Sequence, residues 1–184
     1  VMFLAVTAEE QGLLGSAYYA ANPVVPLEKT AAVINMDALI TWGATNDVTV
    51  VGLGQSELDE YARAAADAQD RTIRPDPEPE KGYYFRSDHF EFAKQGVPAL
   101  YTDPGIDMVE GGEEAGRAEL AAYNEERYHQ PDDELDGTWD LSGAVQDLEF
   151  FFRVGWMVAN RTDWPSWSED SEFRAAREEM MGAE

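Results

Sequence analysis

The run Phe3-Leu4-Ala5-Val6-Thr7-Ala8 is apolar, stops at two adjacent carboxylates, Glu9 and Glu10, and passes at once into Gln11-Gly12-Leu13-Leu14-Gly15-Ser16. A short apolar run closed by acids and glycines reads as a buried strand, Val1 to Ala8, whose carboxyl end lies at the edge of an open α/β sheet, where ligand sites form. Neighbouring residues of an extended chain point in different directions, which leaves one carboxylate for a metal and the other for a substrate. The plainer reading makes both carboxylates solvated charges at a helix start, where the dipole favours them. The chain opens inside this expected strand, so further sequence upstream is expected.

Ala31-Ala32-Val33-Ile34-Asn35-Met36-Asp37 repeats the pattern: an apolar strand ending in an acid. Leu13 to Ala21, closed by Asn22-Pro23, supplies a helix between the two strands. The resulting βαβ unit places Asp37 beside the glutamate pair at one sheet edge, against the alternative of an ordinary turn or capping aspartate. Asp47 to Leu53 is a third strand. A helix from about Ser56 to Gln69 follows, with Ser56 as N-cap and Leu58, Tyr61, Ala62, Ala65 and Ala66 facing the core.

Arg74 to Glu80 is Pro-rich and charged and reads as a loop. Beyond the run Gly82 to Phe90, the stretch Phe92 to Gly96 is a helix with a glycine stop, and Val97 to Thr102 a short strand. Asp103 to Arg127 is expected to be a long acidic excursion shaping the site, and Leu141 to Ala159 the longest helix. The catalytic portion is assigned to residues 1–162 and a Trp- and Glu-rich surface tail to 163–184. The fold class expected is α/β: a three-layer sandwich with a mixed, mostly parallel central sheet flanked by helices, lacking its first strands.

Hydrophobic residues make up 44% of the 184 and aromatic residues 11%, enough for a sizeable core. No stretch is apolar enough for a membrane span. The net charge of -24, from 37 acidic and 13 basic residues, would repel phosphate backbones and argues against nucleic acid as a partner. Lysine occurs only at 29, 81 and 94, which suits a saline setting. With no cysteine, any metal site must be built from carboxylates and histidines.

The two histidines are His89 and His129. Glu10, Asp37 and His129 are placed to converge at the sheet edge, an oxygen-rich set with one imidazole that suits zinc in a hydrolytic site. Zinc lowers the pKa of a bound water, and a free carboxylate beside it takes and passes the proton; Glu9 is positioned for that task.

Four stretches in this order resemble the co-catalytic zinc aminopeptidases, the family of bacterial leucyl aminopeptidases related to glutamate carboxypeptidase and glutaminyl cyclase. They are Ala8-Glu9-Glu10-Gln11-Gly12-Leu13-Leu14-Gly15-Ser16; Asn35-Met36-Asp37; Arg86-Ser87-Asp88-His89-Phe90 with Gly96-Val97-Pro98-Ala99; and Tyr128-His129-Gln130-Pro131-Asp132-Asp133. The resemblance implies Glu9 as general base, Glu10 and His129 as ligands of one zinc, and Asp37 as ligand of a second. It implies a tyrosine near Ser87 as oxyanion stabiliser, Tyr84 ahead of Tyr83, and it puts His89 outside the metal site.

The family's first ligand motif, a histidine two residues before an aspartate and then a bridging aspartate, has no counterpart in this chain. The resemblance therefore implies a carboxyl-terminal portion holding at most a partial site, with little or no activity alone. The activity implied is removal of amino-terminal residues from a peptide substrate through a metal-bound hydroxide. The alternatives are a glutaminyl cyclase-like single-zinc acyltransferase and a non-catalytic binding domain of peptidase fold. Exposure of the first strand's edge would favour self-association. A periplasmic or secreted setting is implied by the resemblance alone.

Overall fold

The computed structural model describes residues 1–182. Four strands form one mixed sheet in the order β1-β4-β2-β3, with β1 spanning Val33–Asn35, β2 Asp47–Val51, β3 Thr72–Pro75 and β4 Ala99–Asp103. The pairs β1/β4 and β2/β3 are parallel and β2/β4 is antiparallel; Ile34 aligns with Leu100, Val48 with Ile73 and Val50 with Thr102.

Alternation along the strands divides their side chains between two faces. Val48, Val50 and Leu100 pack beneath α2 (Leu58–Asp67) and α5 (Ser142–Ala159), through Leu58, Tyr61, Ala62, Phe150, Phe151 and Val154. Val51, Ala99 and Tyr101 face the other way, against Tyr84, Ala93 of α3 (His89–Ala93), Trp167 and Phe173. Next to α3 lies α1 (Leu14–Ala21). Helices thus cover both faces of the sheet, as the sequence predicts. At the start of β2 the buried Arg71 guanidinium donates to the Thr45 hydroxyl at 2.9 Å and the Asp47 carbonyl at 2.6 Å, and pairs with Asp147 of α5 at 2.8 Å. No helix among the described residues is long and apolar enough to cross a membrane.

Four expectations are corrected. Val1 to Ala8 is not a strand: it has no ladder partner among the described residues, and Val1 and Phe3 are 100% and 89% exposed. A strand needs a neighbour's hydrogen bonds, and here the Thr7 and Ala8 carbonyls instead accept from Gly15 and Leu14 at the start of α1. The segment read as a loop from Arg74 contains the end of β3, an edge strand too short and too exposed to show an apolar alternation.

The excursion from Asp103 to Arg127 contains α4, Gly112–Glu126. It is rich in Ala and Glu, strong helix formers, but Gly116 is its one buried residue, so no apolar stripe announces it. Nor is 163–184 a surface tail. Trp167 is 2% exposed and donates from its indole N–H to the Gly96 carbonyl at 2.8 Å, Phe173 is buried beside it, and α6 (Arg174–Gly182) follows.

Candidate metal centre and catalytic site

Glu9 and Glu10 stand on a tight corner. The Glu9 carbonyl accepts from Gly12 and Leu13 at 3.0 and 2.9 Å, and the chain enters and leaves through Ala8 and Leu13, both at φ +58°. Left-handed backbone is costly for residues with a Cβ and collects at functional sites. His129, at φ +59°, is a third such residue; Asp70 is the remaining non-glycine example among those described.

Asp37 follows directly after β1 and is held in place by a relay. The Asn35 amide donates to the Ser87 hydroxyl at 2.7 Å, and that hydroxyl donates to the Asp37 carboxylate at 2.7 Å. The neighbouring Asp88 carboxylate accepts from the Ser16 hydroxyl at 2.5 Å. The pair Ser87-Asp88 therefore ties the strand carrying Asp37 to the helix that follows Glu9-Glu10. These contacts explain in physical terms why the three stretches belong together.

His129 Nε2 lies 2.6 Å from Glu10 Oε1, across 119 residues of sequence, with its ring stacked on Tyr128 at 3.9 Å between centroids. Partial burial pushes the Glu9 carboxyl above its ordinary pKa; Asp37, Glu10 and Asp88 push it the same way, and His129 opposes them. Glu9, Glu10, Asp37 and His129 thus share one electrostatic neighbourhood. Asp88 joins it, a motif residue with no role assigned from the sequence.

Tyr84 packs into the core on one face of the sheet. Its ring is buried against His89, 4.7 Å between centroids, and against Phe173 at 5.9 Å. Its hydroxyl has no hydrogen-bond partner among the described residues, and burial, then Glu172 and Asp59, raise its pKa. The Tyr128 hydroxyl is the one raised, after partial burial, by Glu10, Asp37 and Glu9, with Tyr83 contributing as well. Its signal in the sequence is its place at the head of the stretch Tyr128-His129-Gln130-Pro131-Asp132-Asp133. His89 is fully buried between Tyr84 and Tyr101, and desolvation lowers its pKa to about 3.

No three His, Asp or Glu side chains among the described residues converge closely enough to hold a metal ion. Glu10 and His129 bond each other, and Asp37 is engaged by Ser87. The donor chemistry nonetheless fits a cation such as zinc. Oxygen donors and one imidazole are present, and the carboxylates around Glu9 crowd one another. Beside Glu9 and Glu10 opens a cavity of about 370 Å³ whose further walls include Leu13, Phe85, Arg86 and Phe90.

The comparisons with known proteins place this layered α/β domain among the peptidases. The model of Peptidase family M28 matches residues 1–151, and the chain belongs to that family. Among solved structures, the aminopeptidase from Aneurinibacillus sp. strain AM-1 is similar in fold, with a TM-score of 0.55 and 20% identity over 86% of this chain. The match covers 33% of that enzyme's chain, so the present chain spans about a third of its length. No curated protein matches significantly.

Proposed function

We propose that this chain carries the carboxyl-terminal half-site of a zinc-dependent aminopeptidase, which removes amino-terminal residues from peptides. Membership of the peptidase family supports the reaction class, and one observation supports the site: Glu9 lies amid Asp37, Glu10 and Asp88 with His129 opposing them, its carboxyl pushed above its ordinary pKa. Glu10 and His129 would hold one zinc ion and Asp37 a second. Bound there, zinc polarises a carbonyl and makes water acidic enough to attack near neutrality.

The chain's own residues do the rest. Glu9 takes the proton from the attacking water and returns it to the departing amine. The Tyr128 hydroxyl, which feels the charges of Glu10, Asp37 and Glu9, would donate to developing negative charge on the scissile carbonyl oxygen. Ser87, bonded to Asp37, and Asp88, bonded to Ser16, hold the corner and the strand in register. The second metal's remaining ligands have no counterpart in this chain, so the isolated polypeptide is expected to hydrolyse leucine anilides poorly or not at all.

The test is zinc content per chain after dialysis. A near-stoichiometric ion, lost on Glu10→Ala and on His129→Ala, supports a half-site that assembles by itself. Zinc that survives both substitutions would place any metal elsewhere and overturn the assignment.

A further inference from the structure

The cavity beside Glu9 and Glu10 is lined by both signs of charge. At one side stand the two glutamates; apolar walls come from Leu13, Phe85 and Phe90; and Arg86 lies in the same lining. Arg86 is exposed, with its guanidinium 5.8 Å from the Tyr83 ring centroid, a cation-π placement that keeps it at the wall.

Arg86 is the one basic residue in that lining. Acidic residues outnumber basic ones by 37 to 13, and Arg74, Lys81, Lys94, Arg117, Arg127 and Arg174 at the surface are each paired with a carboxylate. Arg86 makes no ion pair among the described residues. Glu91, which also lines the cavity, has its carboxylate engaged by Lys94 at 2.7 Å. The guanidinium fork is therefore open to a bidentate anion, and carboxylate is the anion a peptide carries.

We propose that Arg86 is a specificity residue: the cavity takes a short peptide with an apolar part against Leu13, Phe85 and Phe90, and Arg86 binds a carboxylate group of that same peptide. The inference rests on the peptidase reading and refines its substrate class. The carboxylate has two sources, the free carboxyl terminus of a dipeptide or an acidic side chain. Either way the ligand carries separated charges, its amine drawn to the glutamates and its carboxylate to Arg86.

Binding to the full 184-residue chain is measured by titration calorimetry, with and without zinc, using four probes: Leu-Phe, Leu-Phe-amide, Glu-Phe-amide and Gln-Phe-amide. The expected result is one carboxylate-bearing member bound about tenfold more tightly than its neutral partner, the worth of a charged hydrogen bond. The preference is lost in Arg86→Gln and partly kept in Arg86→Lys, both with an unchanged circular dichroism spectrum. Preference within the first pair identifies the carboxyl terminus, and within the second pair an acidic side chain.

Equal binding of acid and amide in both pairs, no binding of any probe, or a preference that survives Arg86→Gln overturns the proposal. Because the readout is carboxylate discrimination, it is separate from the zinc test above: a chain that binds zinc without discriminating loses this inference alone.

Discussion

At the scale of the residue, His89 shows how a motif histidine serves the fold. Its ring is fully buried, so the imidazole is stable inside only while neutral, packed on Tyr84 and Tyr101. Its folded pKa of about 3 lies below the ordinary 6.5, so between these values the unfolded chain binds the extra proton. The resulting stability is fully present above pH 6.5 and drains away as pH falls towards 3. Urea midpoints from pH 7 to pH 4 should decline, and His89→Phe, which keeps the packing without the proton, should flatten that decline. A decline equally steep in the variant would mean other groups cause it. Glu9, Glu10 and Asp37 stand out in the sequence as acids ending apolar runs, and His129 as one of its two histidines. The relevance of Tyr128 and Asp88 does not, because it comes from contacts between distant segments.

Among the elements, the carboxyl-terminal segment changes the picture most. It lies beyond residue 151, where the family match stops, yet it supplies Trp167 and Phe173 to the face of the sheet that also holds Tyr84 and Tyr101. Trp167→Ala should cost about 3–5 kcal/mol in chemical denaturation, the usual loss for a large buried aromatic. A loss below about 1 kcal/mol, the scale of a surface change, would show the segment to be peripheral after all. Sequence periodicity located α2 and α5 because each has one face buried in the core. It missed α4, whose residues are mostly exposed, and β3, which lies at the sheet's edge; apolar pattern records burial, and these two have little.

For the molecule as a whole, charge and apolar surface pull in opposite directions. Val1 and Phe3 are exposed, and so is a stripe along the outer side of α5 formed by Leu141, Val145, Leu148, Phe152 and Trp156. At low ionic strength the charge of -24 keeps copies apart; above about 0.1 M salt the screening length falls to about 10 Å and the apolar stripe is free to act. Light scattering should show association rising with salt, and the double change Phe152→Ser, Trp156→Ser should reduce it. The same screening should raise the melting temperature of the variant, since self-repulsion within each copy is relieved; an unchanged temperature would remove charge from the account of stability. The left-handed turns around the site carry a different implication, for how such a chain can change over generations. Glycine at position 129 would relax the backbone by up to about 1 kcal/mol, even after its greater loss of chain freedom on folding. Heat resistance and ligand chemistry thus make opposite demands on that one position, and a lineage selected for endurance alone would drift away from histidine there.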